Sequence, residues 1–191
     1  MYEFIIRIMI SEMKYKISLI AIIIVIVCLL IFNDTIREEI KSMVVSTPQS
    51  AICVFEQQGS SRITGTIKFT EDLIEHVTVI YVKLQNVPTG IHAIHIHENG
   101  HVIHPGKHYN PHGTQHGDIG EGHVGDLGNI VANEKGEVVQ KIISKDIKLK
   151  GPYAIQGRLL TIRTEADDLS TGENGDVAAT AIIGHMNHTQ V

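Results

Sequence analysis

From residue 51 onward, apolar and polar residues alternate in short stretches, as in Arg62-Ile-Thr-Gly-Thr-Ile-Lys-Phe69 and Val77-Thr-Val-Ile-Tyr-Val-Lys-Leu84. Successive side chains of a strand point to opposite faces, so a period of two predicts half-buried β-strands. The same reading gives further strands at 51–57, 91–97, 129–133, 137–144, 154–162 and 177–183, with Asn133-Glu-Lys-Gly136 as a hairpin turn. About eight strands with no long helical period predict an all-β domain, an antiparallel sandwich or Greek-key β-barrel.

Residues 17–32 break the pattern: they are uncharged and almost wholly branched aliphatic, with Lys14 and Lys16 before them and Asn33 and Asp34 after. At 1.5 Å rise per residue such a run covers about 24 Å of a bilayer core about 30 Å thick, and Tyr15, Asn33 and snorkelling lysines extend it. The reading is a transmembrane signal anchor over 17–33, an N-terminal hydrophobic helix that is not cleaved. A cleaved signal peptide is the alternative, although FNDTIREEIK offers no A-x-A-like site, and an interfacial or buried helix is a third. Arg7, Lys14 and Lys16 against Arg37 and Lys41 place the C-terminal domain on the non-cytoplasmic side of the membrane; cleavage would instead give a secreted protein. The expected organisation is a flank at 1–16, the anchor at 17–33, a stalk at 34–50 beginning with a short charged helix, and a domain at 51–191.

Composition narrows the function. A chain of 191 residues, 43% hydrophobic and 19% charged, is neither a disordered tail nor a disulfide miniprotein. Net charge is −5 and no basic stripe exists, which excludes nucleic acid as a partner. Cys28 and Cys53 cannot build a disulfide framework and do not identify a compartment.

Histidine is the informative residue: nine of 12 fall within 92–123, where uniform scatter would put about two. His95-Ile96-His97 ends a strand, so both imidazoles share a face and can reach one metal. After them come His108, His116, His123 and Asp126, three imidazoles and a carboxylate that meet the four-coordinate preference of structural zinc. Glycines at 100, 106, 113, 117, 120, 122, 125 and 128 let the loop fold back around the ion, and a loop this long in a compact domain is functional. His92 is expected to bond a backbone carbonyl, while His101, His104, His112, His185 and His188 read as ordinary surface or loop residues. The tail 185–188 reads as a solvated end.

The segments Gly90-Ile-His-Ala-Ile-His-Ile-His-Glu-Asn-Gly100, Lys107-His-Tyr-Asn-Pro111, His123-Val-Gly-Asp-Leu-Gly-Asn129 and Glu165-Ala-Asp-Asp-Leu169 together resemble the copper/zinc superoxide dismutase family, over residues 51 to 184. The resemblance implies an eight-stranded antiparallel Greek-key β-barrel with long metal-binding loops. It implies copper on His95 and His97, His108 bridging copper and zinc, zinc completed by His116, His123 and Asp126, and Asp167 linking the histidines of the two sides by hydrogen bonds. It further implies conversion of superoxide to oxygen and hydrogen peroxide, and a homodimer. Dismutase-like proteins of some large DNA viruses are similar, as is the dismutase-like domain of the copper chaperone, although no Cys-x-x-Cys delivery motif is present.

Three positions depart from the family pattern. Arg163 stands where the resemblance puts a fourth copper histidine, and a guanidinium offers a metal no lone pair. Val177 stands where the family has a superoxide-guiding arginine, and residues 164–177 carry Glu165, Asp167, Asp168, Glu173 and Asp176 with no Lys or Arg. The family disulfide would fall near Val102 and at Thr180, neither of which is cysteine. The expectation is an intact zinc site and an incomplete copper site. Dismutation is then impaired or absent, and the domain acts as a zinc-stabilised metal- or partner-binding module. The alternative is an active membrane-anchored dismutase.

Overall fold

The computed structural model describes residues 15–16, 22–29, 31–39, 49–172 and 175–186. The chain divides into two compact units, Met1–Thr47 and Pro48–Val191. In the first, residues 22–29 and 31–39 are helical with exposed side chains. Among the described residues no helix is long and apolar enough to cross a membrane, so these residues do not support the expected transmembrane helix. The longer helical run, 31–39, carries Asp34, Arg37, Glu38 and Glu39; residues 17–21 and 30 of the expected anchor, and 40–48 of the expected stalk, lie outside the described set.

Among the described residues the second unit has nine strands: β1 (Ser50–Phe55), β2 (Thr64–Asp72), β3 (Val77–Gln85), β4 (Gly90–Ile96), β5 (Asp126–Ala132), β6 (Val138–Ser144), β7 (Leu159–Arg163), β8 (Val177–Ile182) and β9 (Gly184–Met186). They form a five-stranded antiparallel sheet in the order β6-β3-β2-β1-β9 and a four-stranded one in the order β5-β4-β7-β8. This corrects the expected closed eight-stranded barrel in two ways. Part of the tail read as a solvated end is a ninth strand, in which Gly184, His185 and Met186 pair with Ile52, Ala51 and Ser50. The sheets also stay open at their edges. Between β5 and β6 the link is the side chain of Gln140, which donates to Asn129 O at 3.0 Å and accepts from Val131 N at 3.3 Å, where a barrel would have a backbone ladder. Asn133–Gly136 does make a tight turn, with Gly136 N donating to Asn133 O at 2.9 Å, but it joins strands of different sheets.

Alternation explains the core. Ile67, Phe69, Ile80 and Leu84 of one sheet meet Ile94, Ile96, Ile130, Leu160 and Ile162 of the other, each at most 1% exposed. On β4 this sends Ile94 and Ile96 inward and His95 to the opposite face. His95 is nevertheless 0% exposed, because the long loop and the segment after β7 cover that face.

Candidate metal centre

A row of cross-strand partners sets the floor of the centre. His95 on β4 lies opposite Asp126 on β5 and Thr161 on β7, and Thr161 lies opposite Thr180 on β8. The long loop is pinned above by Gly125, whose N–H donates to Tyr109 O and whose carbonyl accepts from Ile96 N, each at 2.8 Å, while Tyr109 N donates to Ile96 O at 2.8 Å. Three backbones meet so closely that a Cβ at 125 would strike Ile96 O and stand 2.8 Å from Tyr109 N. His97 and His108 form a further antiparallel bridge, which draws the loop against the end of β4.

His108, His116, His123 and Asp126 come together, each offering a ligand atom within 4.8 Å of the others. Asp126 Oδ1 lies 2.9 Å from His108 Nδ1, and its Oδ2 lies 2.9 Å from His116 Nδ1 and 3.2 Å from His123 Nδ1. The last two nitrogens are buried and make no hydrogen bond, so their proximity to a carboxylate is not donor meeting acceptor. Burial pushes the Asp126 carboxyl up, but hydrogen bonds led by His108 and the His123 N–H outweigh it and hold the group below its ordinary range, as a carboxylate.

Asp167 decides which nitrogen of each ring carries the proton. Its Oδ2 is 2.5 Å from His95 Nε2 and its Oδ1 is 2.8 Å from His116 Nε2. Burial opposes ionisation, yet the bonds from His116 and His95 bring the carboxyl to about 2. An ionised carboxylate only accepts, so both Nε2 atoms donate and both Nδ1 atoms carry lone pairs. Those Nδ1 atoms are buried without partners. On His116 the lone pair faces Asp126 Oδ2, an arrangement that repels unless a cation lies between. Ligands of a tetrahedral zinc at about 2.05 Å stand about 3.3 Å apart, and the four ligand atoms here lie within 4.8 Å of one another, close enough to converge on one ion. Asn129 holds Asp167 in place, accepting its N–H at 2.7 Å and donating to its carbonyl at 3.2 Å.

The copper-side rings gather less completely. His108 is central: its ring stacks on His95 at 3.9 Å between centroids and meets His97 edge-on at 5.3 Å. Burial, then the neighbouring His108, pushes the His95 imidazole down to about 4, so it is neutral. His97 Nδ1 donates to Gly106 O at 3.0 Å, which leaves the Nε2 lone pair to accept from Thr161 Oγ1 at 3.2 Å. That lone pair is already satisfied by a hydroxyl. Among the described residues, the convergent ligand groups are the zinc-side four and the His95, His116 and Asp167 set, not His95 with His97 and His108.

A sequence profile for copper/zinc superoxide dismutase matches residues 63–183. The chain belongs to the copper/zinc superoxide dismutase family. It is 36% identical to an extracellular copper/zinc superoxide dismutase of Brugia pahangi over 134 residues, covering 67% of this chain and 66% of that one. An extracellular copper/zinc superoxide dismutase of Onchocerca volvulus is 36% identical over 121 residues, 60% of each chain, so the matched part spans two thirds or less of either nematode protein. A copper/zinc superoxide dismutase of Paramecium bursaria Chlorella virus 1 is 34% identical over 157 residues, covering 78% of this chain and 81% of its own. Among solved structures, the clock protein EA4 superposes with a TM-score of 0.67 at 30% identity, covering 74% of this chain and 97% of its own.

The dismutase family implies copper and zinc, and the residues present fit zinc by their orphaned, converging nitrogens. The departures from the dismutase pattern have defined places. Arg163 ends β7 directly opposite Val177, the first residue of β8. Its guanidinium donates to Gly175 O at 3.4 Å, and its Nε is buried without a partner. Val102 is exposed in the long loop and Thr180 lies on β8.

His92 lies with Nδ1 2.8 Å from Arg163 O and Nε2 2.7 Å from Pro88 O, tying β4 to the end of β7. His101 caps the backbone N–H groups of Ile103 and His104, His112 packs its ring edge on Tyr153, and His185 is exposed on β9. His188 lies outside the described residues. Sequence reasoning missed Thr161 and Asn129. Thr161 shares a strand face with Arg163 by the period-two rule, which was the available signal; Asn129 gave none.

Proposed function

We propose that this chain is a zinc-holding dismutase-family protein with an incomplete copper site. Dismutation is then impaired or absent, and the domain serves as a zinc-stabilised metal- or partner-binding module. The observation that carries the reading is Arg163 at the end of β7, a permanent cation without a lone pair where the family pattern calls for a fourth copper histidine. His108, His116, His123 and Asp126 would hold zinc, which supplies the charge that keeps the loop folded. His95, His97 and His108 would offer copper three nitrogens, and His97 would first give up the Thr161 hydroxyl. Asp167 orients His95 and His116 together, so the two metal sides share one positioning carboxylate.

A second reading, an active dismutase acting on superoxide, is favoured by the unpartnered His95 Nδ1 and by the relatives' names. We also propose that the apolar run 17–33 takes the domain out of the cytoplasm, as an uncleaved anchor or a cleaved signal. The nematode relatives' description as extracellular supports this export.

The test is the rate of superoxide decay catalysed by the purified full chain after zinc and copper loading, per tightly bound copper, with a chelator control. A negligible or chelator-sensitive rate with zinc retained is expected. A rate near the diffusional ceiling of about 10⁹ M⁻¹s⁻¹ would overturn the reading.

A further inference from the structure

On β7, Leu160 and Ile162 point into the core, so Thr161 between them turns to the opposite face, the one that carries His95 and His97. Thr161 is the cross-strand partner of His95, which puts it diagonal to His97 and within side-chain reach. It is 1% exposed, and a buried hydroxyl needs a partner. Its Oγ1 lies 3.2 Å from His97 Nε2. The far side of the ring sets the direction of this bond. Gly106 O only accepts, so His97 Nδ1, 3.0 Å from it, carries the proton of the neutral ring and Nε2 keeps the lone pair. The Thr161 hydroxyl therefore donates and His97 Nε2 accepts. A valine at this strand position would have the same branched shape and no bond to give.

We propose that Thr161 is a latch on His97: its hydroxyl takes the lone pair through which that ring would hold copper, and it keeps His97 out of the metal-binding set until the Thr161 side chain lets go. The inference deepens the reading of an incomplete copper site and rests on it for the role of His97. Arg163 denies that site a fourth nitrogen, and Thr161 withholds a third from the same face of the same strand, two residues away. Letting go has a double cost. His97 exchanges one partner for another, while a hydroxyl with 1% exposure is left without an acceptor. The convergence of ligand atoms agrees with this, since His97 joins neither group that comes together. Neither Thr161 nor His97 belongs to the zinc-side four, so the latch bears on copper and leaves zinc affinity as it is.

The test compares the full, zinc-loaded chain with Thr161→Val, which keeps the branched shape and drops the hydroxyl, and with Thr161→Ser, which keeps the hydroxyl. Copper(I) is titrated in competition with a chromophoric chelator, zinc content is measured on each sample, and the His97 ring nitrogens are followed by NMR before copper is added. Copper affinity is expected to rise about tenfold in Thr161→Val and to stay unchanged in Thr161→Ser, the difference being the penalty for an unpaired buried hydroxyl. The His97 Nε2 resonance should move in the valine variant alone. Equal or lower affinity in Thr161→Val, or a gain shared by both variants, would overturn the latch. If Thr161→Val does not fold, the unsubstituted chain decides: a scalar coupling between the Thr161 hydroxyl proton and His97 Nε2 upholds the latch, and its absence overturns it. Weak copper binding that Thr161→Val leaves weak would remove the latch and keep the incomplete copper site. Tight binding in the unsubstituted chain that Thr161→Val tightens further would do the reverse.

Discussion

Arg163 and Val177 are cross-strand partners at the register shift where β7 and β8 diverge. Two departures from the dismutase pattern are therefore one location. The Arg163 charge also reaches His97, whose imidazole is pushed down first by burial and further by His108 and Arg163. Replacing the guanidinium with an imidazole would remove that charge and add a lone pair at the strand end. Arg163→His is expected to raise copper affinity tenfold or more, read by competition with a copper chelator. An unchanged titration would refute the assignment of that position.

Asp167 serves two rings with two oxygens, and an amide has one. Asp167→Asn leaves either His95 or His116 without its acceptor and free to take the wrong tautomer. Zinc affinity is expected to fall about 10- to 100-fold, the usual cost of losing a partner that orients a ligand. A zinc competition assay at neutral pH measures it, and equal affinities would mean that packing alone orients the rings.

With zinc held as proposed, the cluster would pin the loop that the family disulfide otherwise anchors. Stripping the metal with a chelator should lower the melting temperature by roughly 10 °C, from about 2.7 kcal/mol of linkage at a hundredfold excess of zinc over its dissociation constant. Differential scanning calorimetry with and without chelator reads the shift. A reductant should leave the temperature unchanged, since both Cys28 and Cys53 are free thiols.

Gly125 is fixed by the close approach of three backbones. Gly125→Ala forces Ile96 O or the loop to move, so the bonds to Tyr109 and Ile96 lengthen and Asp126, the next residue, shifts with them. The expected cost is on the order of 2 kcal/mol or more, with loss of stoichiometric zinc. Denaturant melts and metal analysis of one preparation would show whether both effects arrive together.

Cys53 is buried at 0% exposure, and desolvation pushes its thiol far above the ordinary 9.0. The folded state keeps the proton while the unfolded chain releases it, so this group's contribution is fully present below pH 9.0 and declines as pH rises past that value. In a Cys28→Ser background a thiol reagent at pH 8 should label nothing until denaturant is added. Rapid labelling of the folded protein would contradict the burial.

Eight strands were legible, most plainly where apolar and polar residues alternate, as in 62–69 and 77–84, although the strand expected at 154–162 begins only at Leu159. The ninth was not: Gly184-His-Met186 has no apolar rhythm and exists because its backbone pairs with β1. Openness of the sheets was also hidden, since closure depends on backbone ladders at the edges and side-chain patterns do not encode them. At the centre, spaced histidines followed by Asp126 announced a cluster, because few other roles gather so many imidazoles. Thr161 stayed silent, since a threonine in a buried strand reads as ordinary β-former until its hydroxyl is seen against His97 Nε2.

The pairing of Ser50 with Met186 imposes an order on biosynthesis. As the chain leaves the ribosome, β1 can pair with β2 at once, but its other edge waits for residues that emerge after every other strand. Completion of the first sheet thus waits until every other strand has been made. Until then that edge is open to a strand from another chain, the hazard native folds avoid by covering their margins.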